Sequence, residues 1–544
     1  MLAPFYYLGH FELVLSTMQS RYADLLATDE LHFVRAFPEL PRSSRALLAR
    51  MVMRRGNLFR ATSLEYLEIG GTQVAAAPLI DAGWVSDKPL LRIEELQRLL
   101  TKAELIRWLE LPARLGRLRR THLVAMLNAQ YPEPRLFADW CPRGTGPVYA
   151  LTVAPMCERF RLLYFGNDRQ EWSEFVTADL GIFNYEKVER TLQGRPFQSR
   201  AQIELYQRLS ECRGLFQAGM PLKELLALVP GAIEDGDWLE DRRQRLLFLI
   251  ARELERTGEA SMALSIYLRC RHRGARTRAI RLTSRAHQWE ETRSLCLTAR
   301  ANPESEAELQ YVRRVLPRAH RGLGMACDAD CRSPRIPEFD IVFDGAPLPG
   351  AVEYHVRDHL ARDLADPNTV RYVENGLINS LFGLLCWSAI FAPVAGAFFH
   401  DFHRAPADLT SGRFHSRRQR HFEACLSQLE SGHHRRVILT TYRQKWGIQC
   451  SFVNWYGLDR TLLTWALDCF PASHLRLWCE WILRDVVENR TGFPDLIQFW
   501  PEERRYRMIE VKGPGDRLQD NQRRLLEFCC VHGMPVSVCH VRRA

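Results

Sequence analysis

The chain has 544 residues, 46% of them hydrophobic and 25% charged, with a formal net charge of +10. That length exceeds a single core and predicts about three or four folded soluble domains, while the excess of cations favours an anionic partner. None of the six lysines, at 88, 102, 187, 223, 445 and 512, follows a glycine, so there is no Walker A loop and no nucleotide cofactor is expected. No His-Glu-x-x-His zinc motif occurs either. The 15 cysteines form no framework, and with no leader-like start they are expected reduced in the cytoplasm. Cys327 and Cys331 lack a second ligand pair nearby, which argues against zinc.

Residues 1–95 are helical and then turn-rich. Ser43 to Arg54 reads as a helix broken at Gly56-Asn57. Ala77 to Val85 reads as a short helix with an extended piece after it, a pattern open to a winged-helix-like fold. Residues 96–155 form the next expected module: Thr101 caps a helix over Leu100–Leu109, Arg114, Arg117, Arg119 and Arg120 follow, and a second helix lies around Thr121–Leu127. Two short helices with a basic connection resemble a SAP module, which grips successive phosphates. Residues 156–340 read as a helical array. Ala251, Leu254, Gly258, Ala263 and Tyr267 stand at tetratricopeptide-like spacing, with Ile280, Trp289, Ala299 and Pro303 as a degenerate second unit. Arg269, Arg271, Arg273, Arg276, Arg278, Arg281 and Arg285 run through it without an acidic residue, which favours a phosphate-binding surface over a solvated face.

The Pro- and Gly-rich stretch 332–355 marks the main boundary, and 341–544 is the last expected domain. Leu377 to Phe399 carries no charge and is long enough to span a bilayer, but Gly383, Pro393 and Gly396 interrupt it. A helix buried on all sides has the same composition. Glu374, just before it, reads as a charge favoured at a helix N-terminus. Residues 411–445 carry Arg413, Arg417, Arg418, Arg420, Arg435, Arg436, Arg443 and Lys445, with Phe414, Tyr442 and Trp446 interleaved, a mixture suited to a nucleic-acid strand. An amphipathic helix from Leu475 to Asn489 then delivers the chain to Asp495, with Arg490 in reach of a phosphate.

Pro494–Trp500 and Arg507–Gly513 read as strands joined by the polar turn Pro501–Arg505. Alternation sends Glu510 and Lys512 to one face and Ile509 and Val511 to the core, while Asp495 opens the neighbouring strand towards the same charged face. Carboxylates without His or Cys favour one or two hard cations, Mg²⁺ or Mn²⁺. Such a cation polarises a phosphodiester and activates water. Asp516 is placed to cap a helix from Arg517 to Val531, and Pro535–Val541 is a final strand.

These residues resemble the PD-(D/E)xK nuclease signature. The runs Gly492-Phe493-Pro494-Asp495-Leu496 and Ile509 to Leu518, with Gln522 and Val538-Cys539-His540-Val541, resemble the VRR-NUC domain and, more narrowly, the Fanconi-associated nuclease family. The resemblance implies a mainly helical multidomain protein ending in a restriction-endonuclease-like α/β core with a mixed sheet. Through Glu374 to Trp387 it also places a further metal-binding glutamate at Glu374. The implied ligands are then Glu374, Asp495, Glu510 and the Val511 carbonyl, with Lys512 positioning water and Gln522 orienting the lysine or a phosphate. Ser416-Arg417-Arg418 resembles the family too. Arg417, Arg418, Arg490, Arg276, Arg278, Arg281, Arg117, Arg119 and Arg120 are the candidate DNA contacts alongside Gln522.

The implied activity is metal-dependent cutting near 5′ flaps, with 5′–3′ exonuclease action and 5′-phosphate products, in repair of interstrand crosslinks. The expected partner is branched or flapped DNA rather than a membrane, and the expected location a bacterial nucleoid. A Holliday-junction resolvase or restriction-type nuclease is one rival reading. A non-catalytic helical-repeat scaffold, membrane-attached through 377–399, is the other.

Overall fold

The computed structural model describes residues 4–142, 146–189, 194–233, 237–326, 334–343, 351–362 and 364–543. Cys327 and Cys331 lie outside them. The chain divides into two units, Met1–Phe183 with Leu192–Arg200, and Asn184–Thr191 with Ala201–Ala544.

In the first unit, helices Tyr6–Arg21, Thr28–Ala36, Arg42–Val52 and Thr72–Asp81 bury Phe11, Leu47, Leu48 and Leu79. A small antiparallel sheet joins Leu58–Arg60, Val148–Leu151 and Val85–Ser86, in that order. Its central strand comes from late in the unit. Residues between are an excursion that includes the helices Ile93–Leu99, Lys102–Trp108 and Arg120–Gln130, with Leu90–Leu91 pairing with Arg135–Leu136. Strands of two to four residues are too short to show alternation, so the return of the chain to the first sheet left no trace in the sequence. The expected Thr101 cap is present: its hydroxyl accepts from the Glu104 amide at 3.2 Å, and Glu104 accepts from the Thr101 amide at 2.7 Å.

The second unit includes helices α1 (Asp237–Arg256), α2 (Ala260–Arg269), α3 (Ala275–Arg285), α4 (Trp289–Ala301) and α5 (Glu306–Gly322), each packed on the next. Ala251, Leu254, Ala263 and Tyr267 are buried between the first of them, and Gly258 turns the chain with φ +91°. There follow β1 (Glu338–Phe343), α6 (Val352–Ala361), β2 (Val370–Tyr372), α7 (Gly376–Leu385), α8 (Gln419–Glu430), α9 (His434–Gln444), α10 (Arg460–Cys469), α11 (Ala472–Arg484), β3 (Leu496–Trp500), β4 (Arg505–Lys512), α12 (Asp520–Val531) and β5 (Val536–Arg543).

The five strands form one mixed sheet in the order β1-β5-β4-β3-β2. β5 runs parallel to β1 and β4, and β3 is antiparallel to β4 and β2. Both faces are covered. Ile509, Val511 and Leu496 pack with Val356 of α6, while Met508, Ile497 and Phe499 join a larger core with α7, α8, α10 and α11. β3 and the second half of β4 are buried on both faces, whereas the edge strand β1 is largely open to solvent.

Three expectations need correction. The uncharged stretch from Leu377 is not one long helix: α7 ends at Leu385 and is buried from Leu377 onward. No helix among the described residues is long and apolar enough to cross a membrane. The helix expected over 475–489 breaks at Asp485, whose carboxylate accepts from the Glu488 amide at 3.2 Å. And α12 starts at Asp520, because Gln519 and Gln522 form a capping box there while Asp516 closes an earlier turn onto the Gly513 amide.

Candidate active site

The charged face of the hairpin is buried. Register pairs Leu496 with Ile509, which sets Asp495 across from Glu510 at the start of β3. The Val511 amide donates to Asp495 Oδ2 at 2.8 Å and leaves the other carboxylate oxygen for a ligand. Glu510 is 0% exposed. Lys512 Nζ lies 2.8 Å from Glu510 Oε1, yet neither carboxylate oxygen receives a well-directed hydrogen bond. A buried carboxylate without a directed donor is expensive unless something positive binds it. Hard-cation chemistry fits these oxygen donors.

Glu374 is tied to the same strand by backbone. The amides of Val373 and Glu374 both donate to the Asp495 carbonyl, at 2.8 and 3.0 Å. To do so Glu374 adopts φ +39°, a left-handed conformation that costs a non-glycine residue about 1–2 kcal/mol. Its carboxylate is held outward, accepting from Tyr372 Oη at 2.8 Å and Asn375 Nδ2 at 3.1 Å. Consistent with that, no group of three or more His, Cys, Asp or Glu side chains is gathered at metal-holding distance among the described residues. Asp495 and Glu510 are assembled by the sheet, and Glu374 is adjacent but turned aside.

Electrostatics carry the same signature. Burial pushes the Glu510 carboxyl up to about 7, the Asp495 charge adds to the rise, and Lys512 opposes it. Burial also raises Asp495, the Val511 amide pulls it back, and Glu353 and Glu374 raise it further. Carboxylates that raise one another's proton affinity mark a functional site.

Glu353 was not singled out in the sequence. It sits in the first turn of α6, between Val352, which faces Gly513, and Tyr354, whose ring lies 5.3 Å from that of Tyr372. A lone Glu after a Pro- and Gly-rich stretch gives no signal by itself.

Gly492 sets the entry to β3. It has φ +90°, and a Cβ there would stand 2.9 Å from the Asn521 backbone carbonyl carbon. Gly492→Ala is therefore expected to destabilise the fold by about 2 kcal/mol or more. Gly515→Ala, at φ +87° with nothing within 4 Å, is expected to cost only about 1 kcal/mol. Urea unfolding of both variants checks the contrast.

The candidate DNA contacts separate into two groups. Arg418 is a core residue: it forks onto Asp408 at 2.9 and 3.0 Å with its side chain 0% exposed. Arg417 also binds Asp408, at 2.7 Å. Arg276 binds Glu308 at 2.6 and 2.8 Å, and Arg278 approaches Glu255 at 3.4 Å. Arg120 caps the carbonyls of Gln97 and Leu100. Gln522 Oε1 accepts from the Gln519 amide at 2.9 Å, so that oxygen caps its own helix rather than reaching towards Lys512. Arg117 and Arg119 are exposed, Arg281 and Arg490 half-buried, and none of these four forms an ion pair among the described residues. Phe414 is buried, whereas Trp446 is exposed.

Comparison with known proteins extends this picture. A family model of the VRR-NUC domain matches residues 429–543, one of the FAN1 HTH domain residues 5–86, and one of the Fanconi anemia-associated nuclease SAP domain residues 90–140. The chain is similar to a Fanconi-associated nuclease 1 homolog of Pseudomonas aeruginosa, at 49% identity over 99% of this chain and 96% of that protein. A homolog from Oryza sativa is 24% identical over 98% of this chain and 62% of its own length. Crystal structures of paFAN1 bound to 5′ flap DNA with gap, one with a 2-nucleotide and one with a 1-nucleotide flap, superpose with TM-scores of 0.94 and 0.91 at 49% identity. Both cover 100% of this chain, which in turn spans 99% and 100% of theirs.

Proposed function

The chain belongs to the Fanconi-associated nuclease family, and from that premise we propose that it is a structure-selective endonuclease cutting DNA near a 5′ flap. The observation that carries this reading is the whole-length likeness to a relative crystallised on 5′ flap DNA with a gap. Membership of the family implies dependence on a divalent metal. The finer proposal is Mg²⁺ or Mn²⁺, as one or two ions, on Asp495, Glu510 and the Val511 carbonyl, with Glu374 turning in from Tyr372 and Asn375. Bound there, a divalent cation supplies Lewis-acid polarisation of the phosphodiester and lowers the pKa of a water.

The protein's own groups do the rest. The Val511 amide fixes the Asp495 carboxylate. Lys512, beside Glu510, orients the attacking water and offsets charge gained by the phosphate. The buried apolar strands around them strengthen these interactions by excluding solvent. Hydrolysis in this geometry leaves a 5′-phosphate and a 3′-hydroxyl, suited to repair of flapped or crosslinked DNA at the nucleoid.

The test is cleavage of end-labelled 5′ flap, four-way junction and blunt duplex with Mg²⁺ or Mn²⁺, with Asp495→Ala protein as the blank. Cutting near the flap junction, roughly ten-fold faster than at a four-way junction, is expected. Preference for the four-way junction would favour a resolvase. Binding without cutting of any substrate would sink the nuclease reading.

A further inference from the structure

A turn packed on the helix that follows Glu374 presents an aromatic ring to solvent. Residues 445–459 connect α9 to α10, and three contacts clamp this connection onto α7, which begins two residues after Glu374. Val453 and Phe452 fill the space beside Gly383, where a Cβ would stand 2.8 and 2.9 Å from them. The Asn454 amide donates to Ser380 Oγ at 3.0 Å. The Asn454 side chain lies 3.3 Å from where a Cβ on Gly376 would be, and its Oδ1 accepts from the Gly457 amide at 3.2 Å, closing the turn.

Tyr456 is at the tip of that turn, 104% exposed. Its neighbour Trp455 is anchored. The indole N–H donates to the Ile448 carbonyl at 2.7 Å, and the ring packs 5.9 Å from Tyr442 and 5.3 Å from Trp446. Trp446 is itself exposed. Arg443 and Arg460, on the flanking helices, are exposed and form no ion pair among the described residues. The nearest acid in the turn, Asp459, is engaged by Arg371 at 3.1 Å.

A ring that buries no surface contributes nothing to folding, yet the backbone beneath it is held by three contacts with α7. Exposed aromatics with cations beside them are what unpaired nucleotides bind, since every base has a face to stack and every linkage a charge. We infer that Tyr456 stacks on an unpaired nucleobase of the DNA next to the phosphate that is cut, with Trp446 as a second ring along the same strand. This assignment rests on the flap-nuclease reading and deepens it. Tyr456 is a positioning residue, and its stacking selects substrates with an unpaired base at the junction.

The experiment uses the full chain and a gapped 5′ flap duplex carrying 2-aminopurine at successive unpaired positions, with Ca²⁺ replacing Mg²⁺ so that binding is read without cleavage. Wild type and Tyr456→Phe are expected to quench the probe at one position, and Tyr456→Ala is not. In Mg²⁺, Tyr456→Ala raises KM about ten-fold with kcat little changed. An abasic nucleotide at the same position costs the wild type a similar factor and the Ala variant nothing more. Equal quenching by the Ala variant, or losses that multiply in full, overturns the assignment. Quenching by a wild type that fails to cut any flap leaves the stacking standing and removes the flap-cleavage reading instead.

Discussion

Glu510→Gln is expected to lower flap cleavage by about 10³-fold and to flatten the pH dependence of stability in the metal-free protein. The two effects share one cause. Glu510 is buried between Asp495 and Lys512, and its carboxyl is pushed from 4.5 up to about 7. The folded chain therefore holds that proton more tightly than the unfolded chain. Stability from this group is fully present below about pH 4.5 and is lost as pH rises through about 7, by up to about 3 kcal/mol. Glutamine keeps the shape and cannot ionise, so the loss disappears. Urea unfolding in EDTA at pH 5 and pH 8 is the measurement. Wild type should weaken at pH 8 and recover when Mg²⁺ or Mn²⁺ is added, because a cation that binds only the folded state stabilises it. The variant should do neither. Parallel curves for the two proteins would mean that the Glu510 carboxylate bears no such penalty and is not built for a cation.

Arg418→Ala is expected to destabilise the protein by about 3–5 kcal/mol, with loss of activity only through loss of the fold. The guanidinium forks onto Asp408, lies 4.7 Å from the Phe414 ring centroid and is closed to solvent. Truncation leaves a cavity and an Asp408 whose remaining ion-pair partner among the described residues is Arg417. A surface arginine of the same stretch makes the control: Arg436→Ala is expected to change stability by less than about 0.5 kcal/mol. Thermal unfolding of both variants decides between a structural and a DNA-contacting Arg418. A stable Arg418→Ala protein with weakened DNA binding would reverse the assignment.

The arginine run shows why charge was the hardest property to read. Arg273, Arg276 and Arg278 have no acid among their sequence neighbours, yet their partners are Asp485, Glu308 and Glu255. Arg314 likewise reaches Asp520, and Arg524 reaches Gln310. Arg276 and Arg278 tie α3 to α5 and α1, Arg314 and Arg524 join α5 to α12, and Arg273 joins the turn before α3 to the break after α11. Local sequence counts charges, but pairing is a property of elements far apart in the chain. The exposed aromatic at Tyr456 was hidden for the opposite reason: a Tyr in a loop has no periodicity that separates a solvated ring from a buried one.

Local pattern was enough to predict the hairpin, the identity of Asp495, Glu510 and Lys512 as its charged set, and the family. Alternation, turn residues and the loop after β4 are local, and local patterns survive in one dimension. Tertiary structure decided what those charges experience. Only the packing of α7, α8, α10 and α11 on one face and α6 on the other makes the hairpin a buried one. That burial raises the proton affinity of Glu510, because desolvation depends on everything that surrounds a group and not on its neighbours in the chain.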